Sequence, residues 1–360
     1  MKAIIFAGGL GTRLWPLSRK SSPKQFEKVI GKQSTLQLAV ERLYPDFKNE
    51  EIFIFTGSQY VSMVHDQLPQ IPRENVIGEP EMRDVGPAVG LATAILAKTS
   101  PKEPFAILWS DHLVREPERF RTTLLTAADL VKKNPSKIVF IGQKPRFASQ
   151  NLGWIEFGGV VKRMGDVSFH AFKSFEYRPN LERAQRFYKS NNHAWNIGYF
   201  VTTPSFLWKL YEQFMPQMHK DLVKIQDAWG TKKFSSMMQE VYPKLEKIHF
   251  DNGILEKLDP SDTLVIPTDL KWSDVGAWEA LKEALQTSPS QNITQGRVLT
   301  TDSRDTLIYN YGEQLVVAID LDGLLVVNTH DVLLVCHKNS VPKIKKLVES
   351  LAGTENEHLI

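Results

Sequence analysis

The first residues equipped for chemistry form one stretch, MKAIIFAGGLGTRLWPLSRKSSPKQF. Residues 2–6 are an apolar run and predict a strand. Ala7, Gly8, Gly9 and Gly11 follow at once, and Leu10 is the first side chain there larger than a methyl. Glycine tolerates unusual dihedrals and leaves room, so backbone N–H groups in such a turn can close on an anion. Thr12 adds a hydroxyl and Arg13 a permanently charged fork that matches phosphate oxygens. Lys24 returns a mobile point charge after Pro16 and Pro23 have turned the chain. Strand, glycine turn, Arg13 and Lys24 describe a cradle for a triphosphate. The GxxxxGK[ST] spacing of a P-loop is absent, and Arg13 and Leu14 stand where the third glycine of GxGxxG would be.

Two aspartates complete the electrostatics. Asp111 follows the apolar run Phe105–Trp109, which places its carboxylate at the end of a buried strand. Asp274 lies in the turn-like segment Trp272-Ser273-Asp274-Val275-Gly276-Ala277-Trp278. Mg²⁺ takes one or two carboxylates and fills its octahedron with phosphate oxygens and water, a demand that Asp111 and Asp274 fit. Two structural readings compete: Asp111 as a helix cap ahead of Glu116–Glu118, and Asp274 as a turn former. His112 is either a further ligand or a side chain paired with a backbone carbonyl, and no HxxxH or CxxC spacing supports zinc.

The elements that must position these groups alternate over the first half of the chain. Strand patterns at residues 52–56, 76–78, Phe105–Trp109 and 138–141 interleave with helical patterns at 35–43, 61–68, 87–98 and 120–133. This order predicts an α/β, Rossmann-like domain with a mixed, mostly parallel sheet and helices on both faces, its ligands at the carboxyl ends of the strands. From Gly153 the strands at 154–157, 170–177 and 199–202 carry less helix between them, apart from Leu181–Lys189 and a helical region from Ser205 to Val241. A polar linker at 288–292 leads to short strands at 297–300, 306–309, 315–319, Leu324–Asn328 and 332–336, then a terminal amphipathic helix at 342–351. The expected division is a catalytic domain over 1–287 and a β-rich module over 293–360.

Composition narrows the function classes. Among 360 residues the net charge is +3 and the basic residues are dispersed, which argues against nucleic acid or a membrane surface as partner. The single cysteine, Cys336, excludes an intrachain disulfide and reads as a buried thiol. The amino terminus has no signal-peptide pattern and no apolar run reaches a membrane span, so a cytoplasmic protein is expected.

The string GGxGTRLxPLS with PKQF behind it resembles the signature of the sugar-phosphate nucleotidyltransferases, and its ending looks most like that of the mannose-1-phosphate guanylyltransferases. Ser110-Asp111-His112 resembles the family's ADH, and WSDVGAW its WxDVGxW turn; both imply Asp111 and Asp274 as ligands of Mg²⁺. The resemblance implies nucleotide contacts from Ala7, Gly8, Gly9, Gly11, Thr12 and Arg13. Gly78 to Ala88 is similar to the family's EPxxRNTAPA, which adds Glu79 and Pro87, with Asp84, Val85 and Gly86 in place of Asn-Thr-Ala. Glu79 would accept from the N1–H and amine of guanine. Asn151 to Glu156 looks like TGYGYIE, so the Gly153 backbone would face the sugar. Phe175 to Pro179 stands where the family has FxEKP: Glu176 would accept from sugar hydroxyls, and Arg178, in place of lysine, would meet the sugar phosphate. A strand-end ion pair between Glu176 and Arg178 is the alternative. Trp195 to Phe200 resembles WNSGxF with Ile197 in place of serine, and Asn196 would hold a sugar hydroxyl.

The implied reaction is transfer of GMP from GTP to mannose 1-phosphate, giving GDP-mannose and pyrophosphate. Its catalytic groups would be Arg13 on the leaving pyrophosphate, Lys24 on the reacting α-phosphate and Asp111. The nucleophile is already an anion, so no Ser/His/Asp or Cys/His set is expected. Two alternatives stay open: the same chemistry on another sugar phosphate or nucleotide, and a catalytically silent subunit that senses nucleotide sugar. The resemblance also implies a small left-handed β-helix at the C-terminal end, used for a homodimer. The chain stops before the phosphomannose isomerase domain appended in some relatives, so a second activity is not expected.

Overall fold

The computed structural model describes every residue except Leu10 and divides into two compact units. The first comprises Met1–Gly8, Val40–Trp109 and Val114–Lys271; the second comprises Gly9–Ala39, Ser110–Leu113 and Trp272–Ile360. The chain therefore passes between units several times, and the second unit is assembled from three separate segments.

The first unit is built on a nine-stranded sheet, in the order Val76–Glu79, Ile52–Gly57, Lys2–Ala7, Phe105–Trp109, His193–Thr202, Ile138–Gln143, Thr263–Thr268, Val167–Tyr177, Gly153–Met164. The first four strands are mutually parallel, as are Ile138–Gln143 and Thr263–Thr268. His193–Thr202 runs antiparallel to both its neighbours and joins the two parallel groups into the expected mixed sheet. The central strands are buried along both faces and read as continuous apolar runs, which is why the pattern in sequence is legible. The last two strands form a hairpin longer than expected, its outer half exposed at residues 159–163 of one strand but buried at Val167 and Phe169 of the other.

The helix expected from Pro87 begins two residues earlier, at Val85, and runs to Thr99 with Gly86 to Leu96 buried throughout. Its sequence departs from the family pattern at Gly86 for a packing reason. A Cβ on Gly86 would lie 2.6 Å from the carbonyl oxygen of Ile248. The same glycine donates its N–H to that oxygen at 2.9 Å and accepts from the Tyr211 hydroxyl at 2.6 Å.

The second unit has its own core, in which Leu14, Trp15, Val29, Trp278 and Leu281 pack with Leu307, Tyr309 and Val327. Trp278 is fully buried and donates from its indole to the Trp15 carbonyl at 2.9 Å. The C-terminal strands coil in parallel: Ile293 pairs with Leu307, 14 residues on, then Val298 with Val316 and Leu307 with Leu325, each 18 residues on. Leu333–His337 closes the coil antiparallel to Leu324–Asn328, and the helix Pro342–Ser350 follows. Asp305 ties the coil to the helix Trp278–Leu285 by accepting from Lys282 at 2.6 Å and from Lys338. No helix among the described residues is long and apolar enough to cross a membrane.

Candidate active site

Arg13, Lys24, Asp111 and Asp274 lie in the second unit, and three of its local structures bring them together. Gly11 adopts φ 66°, a left-handed conformation that opens the single turn Thr12–Leu14. Its carbonyl accepts from Leu14 N–H at 2.8 Å and from the Ser18 hydroxyl at 2.7 Å, so the turn carrying Arg13 is pinned. A Cβ at Gly11 would fall 2.5 Å from the methylene stem of Lys24. Glycine at that position is what lets the Lys24 side chain lie across the loop. Lys24 opens the turn Lys24–Phe26 behind Pro23, anchored by buried Gln25 and Phe26.

The two aspartates are joined by a two-stranded ribbon, in which Asp274 pairs with His112 and Ser273 with Leu113. Asp111 immediately precedes that ribbon. The helix it would have capped starts at Pro117 with Glu116 before it, so the capping alternative fails. Asp274 does form its turn, since Oδ1 accepts from Gly276 N–H at 2.8 Å. The turn occupies one carboxylate oxygen and leaves Oδ2 for a second role.

Lys24 Nζ donates to Asp111 Oδ2 at 2.5 Å, with the two side chains 12% and 24% exposed. The position of a Cβ on Gly276 would be 2.7 Å from Asp274 Oδ1, 3.2 Å from Lys24 Nζ and 3.4 Å from Arg13 Nη2. Three charged side chains distant in sequence thus converge on one glycine, and Asp111 joins them through Lys24. Burial alone would raise the Asp111 carboxyl, but the Lys24 ammonium and then His112 override it and hold it well below the usual carboxylate range. Burial likewise opposes the Lys24 charge, yet Asp111 and Asp274 outweigh it and raise the ammonium above its ordinary value. His112 stands 3.9 Å from Asp111 and packs edge-on against Trp272.

The donor set suits a hard cation with open positions. Two carboxylates act on one ammonium, and no group of three or more His, Cys, Asp or Glu side chains able to hold a metal occurs among the described residues. One or two carboxylates, with phosphate oxygens and water completing the octahedron, is what Mg²⁺ takes. Glu279, which sequence reasoning passed over, sits in the same electrostatic environment. Burial raises its carboxyl while Arg13 pulls the other way, and its Oε2 is buried without a hydrogen-bond partner.

Of the remaining site residues, Glu79, Pro87, Gly153, Glu176, Arg178 and Asn196 belong to the first unit, as do Ala7, buried at the end of its strand, and Gly8, exposed beyond it. Gly9, Gly11 and Thr12 belong to the second. Glu79 ends the strand Val76–Glu79 and is buried. Burial pushes its carboxyl up to about 7, against a hydrogen bond donated by the Tyr242 hydroxyl at 2.5 Å. Pro87 is buried in the first turn of its helix.

Gly153 pairs with Tyr177 on one side and with Asn196 on the other, so the sugar-side residues share one end of the sheet. Asn196 accepts from Gly198 N–H at 3.0 Å. The expected alternative of a Glu176–Arg178 pair does not form. Glu176 is held by Arg183, from the helix Leu181–Lys189, whereas Arg178 lies over the Tyr177 ring, 5.0 Å from its centroid. Arg178 takes φ 48°, a left-handed conformation uncommon outside glycine. Sequence reasoning misses Arg183 and Tyr242, because neither lies in a motif with the carboxylate it holds.

A nucleotidyl transferase family model matches residues 2–291, and a MannoseP isomerase/GMP-like beta-helix domain matches residues 296–351. The chain belongs to the nucleotidyl transferase family. It is 30% identical over 357 residues to mannose-1-phosphate guanylyltransferase 2 of Escherichia coli O157:H7, covering 97% of this chain and 73% of that one. A mannose-1-phosphate guanylyltransferase of Salmonella muenchen is 30% identical, over 99% of this chain and 74% of its own length. A solved structure from Thermus thermophilus, described as a mannose-1-phosphate geranyltransferase, superposes with a TM-score of 0.85 at 27% identity, over 97% of this chain and 98% of that one. The nucleotidyltransferase is therefore of the two-part kind, an α/β catalytic region followed by a β-helix-like domain.

Proposed function

We propose that this nucleotidyltransferase transfers GMP from GTP to mannose 1-phosphate. A phosphate oxygen of the sugar phosphate forms a bond to the α-phosphorus, the bond from that phosphorus to the α–β bridging oxygen breaks, and pyrophosphate leaves with the electron pair. Neither partner must lose a proton for attack, so the chemistry needs no general base. The barrier is repulsion between polyanions, and cations aimed at the developing charge lower it. Arg13 would hold the pyrophosphate, Lys24 the α-phosphate and Arg178 the incoming sugar phosphate. Asp111 and Asp274 would hold Mg²⁺, which when bound supplies charge screening and in-line orientation of phosphate oxygens.

The observation that carries this reading is the convergence of Arg13, Lys24 and Asp274 within 3.4 Å of one point at Gly276, with Asp111 on the Lys24 ammonium. Guanine and mannose are favoured by the names of the relatives and by Glu79 and Glu176 as acceptors. The reading extends to a cytoplasmic homodimer through the C-terminal coil, where Leu299, Val317, Ile319, Leu333 and Val335 are exposed. Sedimentation before and after Val317→Lys tests the dimer. Pyrophosphate release from GTP and mannose 1-phosphate, set against other nucleotides and sugar phosphates with and without Mg²⁺, tests the reaction. Release with GTP and mannose 1-phosphate at least about tenfold above other pairs is expected, the scale of one or two discriminating hydrogen bonds. Equal release with thymidine or uridine triphosphate, or none at all, overturns the assignment.

A further inference from the structure

The first unit holds a carboxylate that the reaction as described does not use. Asp251 lies on the short helix Phe250–Gly253, which is seated firmly: Phe250 is buried and stacks on Phe200 with centroids 5.2 Å apart and planes 6° from parallel. Phe200 belongs to the strand His193–Thr202, which also carries Asn196, so one packing contact fixes the helix beside that asparagine. Asn196 uses its carbonyl oxygen on Gly198 N–H at 3.0 Å, which assigns its amide orientation and turns its NH₂ outward. That NH₂ reaches Asp251 Oδ1 at 3.5 Å, the long end for such a bond.

Among the described residues nothing else hydrogen-bonds the Asp251 carboxylate, which has room for about four acceptor contacts. A half-buried carboxylate so poorly satisfied is costly unless something else fills it. Its surroundings do not neutralise it. Burial pushes the Asp251 carboxyl up to about 6, with His249 opposing and Glu256 and Asp84 reinforcing that shift. His249 is itself engaged by Asp84 at 3.5 Å and lies against the Tyr177 ring. Tyr177 pairs with Gly153, and Gly153 with Asn196. Through His249, Tyr177 and Gly153 the surroundings of Asp251 connect to the residues assigned to the sugar.

We propose that Asp251 and Asn196 form a donor–acceptor clamp for a sugar hydroxyl, with the hydroxyl donating to the Asp251 carboxylate and accepting from the Asn196 amide. This makes Asp251 a specificity-determining residue, and it rests on the sugar phosphate transfer proposed above. Such a clamp rejects a substrate lacking that hydroxyl, because both protein groups are then left unpaired.

The test is a cycle between the nearly isosteric Asp251→Asn and mannose 1-phosphates lacking the 2-, 3- or 4-hydroxyl. Wild type should lose roughly 10- to 100-fold in kcat/KM on one of the three analogues, as expected for a hydrogen bond to a charged group. Asp251→Asn should raise KM for mannose 1-phosphate by a similar factor, keep KM for GTP, and show little further loss on that one analogue. Equal additional losses on all three analogues, or an unchanged KM for mannose 1-phosphate, would overturn the clamp. Asp251→Ser gives the same comparison if the amide variant does not fold. A wild-type protein inert toward every sugar phosphate would instead overturn the functional reading beneath it.

Discussion

Lys24 and Arg178 are both cations assigned to phosphate, and the protein treats them in opposite ways. Lys24 is 12% exposed, bonded to Asp111 at 2.5 Å and flanked by Asp274 and Arg13. Arg178 is exposed, lies over the Tyr177 ring, and has no carboxylate partner among the described residues. A charge that must stabilise a transition state gains from being fixed beforehand, because reorganisation at the moment of reaction is then avoided. A charge that meets a substrate gains from staying solvated until the substrate arrives, since an unpaired buried cation is costly. The two cations therefore differ in kind: Lys24 is pinned in an electrostatic array, whereas Arg178 stays exposed over one ring.

The largest effect should come from breaking the pinned array. Lys24→Ala is expected to lower kcat by about 10²–10³, the usual cost of removing a charge-stabilising group, as read by pyrophosphate release. It also leaves the Asp111 carboxylate without its ammonium, so a lower thermal midpoint is expected in the absence of Mg²⁺. Adding Mg²⁺ should recover part of that loss if Asp111 and Asp274 hold the metal. A Lys24→Ala enzyme with near-normal turnover would remove the distinction between the two cations.

Gly276→Ala probes the same array without deleting a charge. The new methyl would lie 2.7 Å from Asp274 Oδ1 and 3.2 Å from Lys24 Nζ, so one of them must move. A displacement on the order of 1 Å in such a site costs roughly 10- to 100-fold in rate. The expected outcome is a kcat reduced within that range and a raised Mg²⁺ requirement, with KM for mannose 1-phosphate unchanged. Steady-state kinetics at several Mg²⁺ concentrations would show it, and unaltered kinetics would mean that the array tolerates looseness.

The pinned region is legible in sequence for a physical reason. Tight turns demand glycine and aspartate at fixed spacing, so GGLGTR and WSDVGAW record local geometry that only a few sequences satisfy. Buried strands such as Phe105–Trp109 are legible for another, since burial on both faces enforces a continuous apolar run. The recognition region depends on partners far away along the chain. Nothing near Glu79 announces Tyr242, and Gly86 is demanded by a carbonyl at Ile248. The hairpin 153–177 reads short in sequence because residues 159–163 of its first strand are exposed and show no alternation, although Val167 and Phe169 on the second are buried. The assembly of the second unit from three segments is likewise a long-range property, with no local signature at Ala39 or Ser110.

On the recognition side, Glu79 offers a test by pH. Burial raises its carboxyl to about 7 from an ordinary 4.5, so the folded state keeps its proton where the unfolded chain has lost it. The stability contributed by this group therefore falls as pH rises from about 4.5 to 7, by at most about 1.4 kcal/mol per unit. Binding follows the opposite sign. Guanine presents two donors and needs the ionised carboxylate, so GTP affinity should rise with pH up to about 7 and then level, by up to about tenfold per unit below it. Calorimetric titration of wild type against Glu79→Gln isolates the effect, since the amide cannot titrate and should show a flatter profile. Parallel profiles would separate Glu79 from base recognition.

The smallest effect tests whether a waiting cation needs a particular shape. Arg178→Lys keeps the charge, shortens the planar fork to a point and removes most of the stacking on Tyr177. Because Arg178 is exposed and held by no ion pair among the described residues, the exchange should scarcely move the thermal midpoint. The expected change is less than about tenfold in KM for mannose 1-phosphate, the scale of one lost hydrogen bond in a largely solvated pair. kcat should hold, since the group is assigned to binding and not to the reacting phosphorus. Parallel measurement with glucose 1-phosphate then separates two roles. An equal shift on both sugars assigns Arg178 to the phosphate alone, and a shift confined to one sugar means that the fork also sets the pose of the ring. A fall in kcat matching that of Lys24→Ala would place Arg178 among the pinned charges and remove the contrast between the two cations.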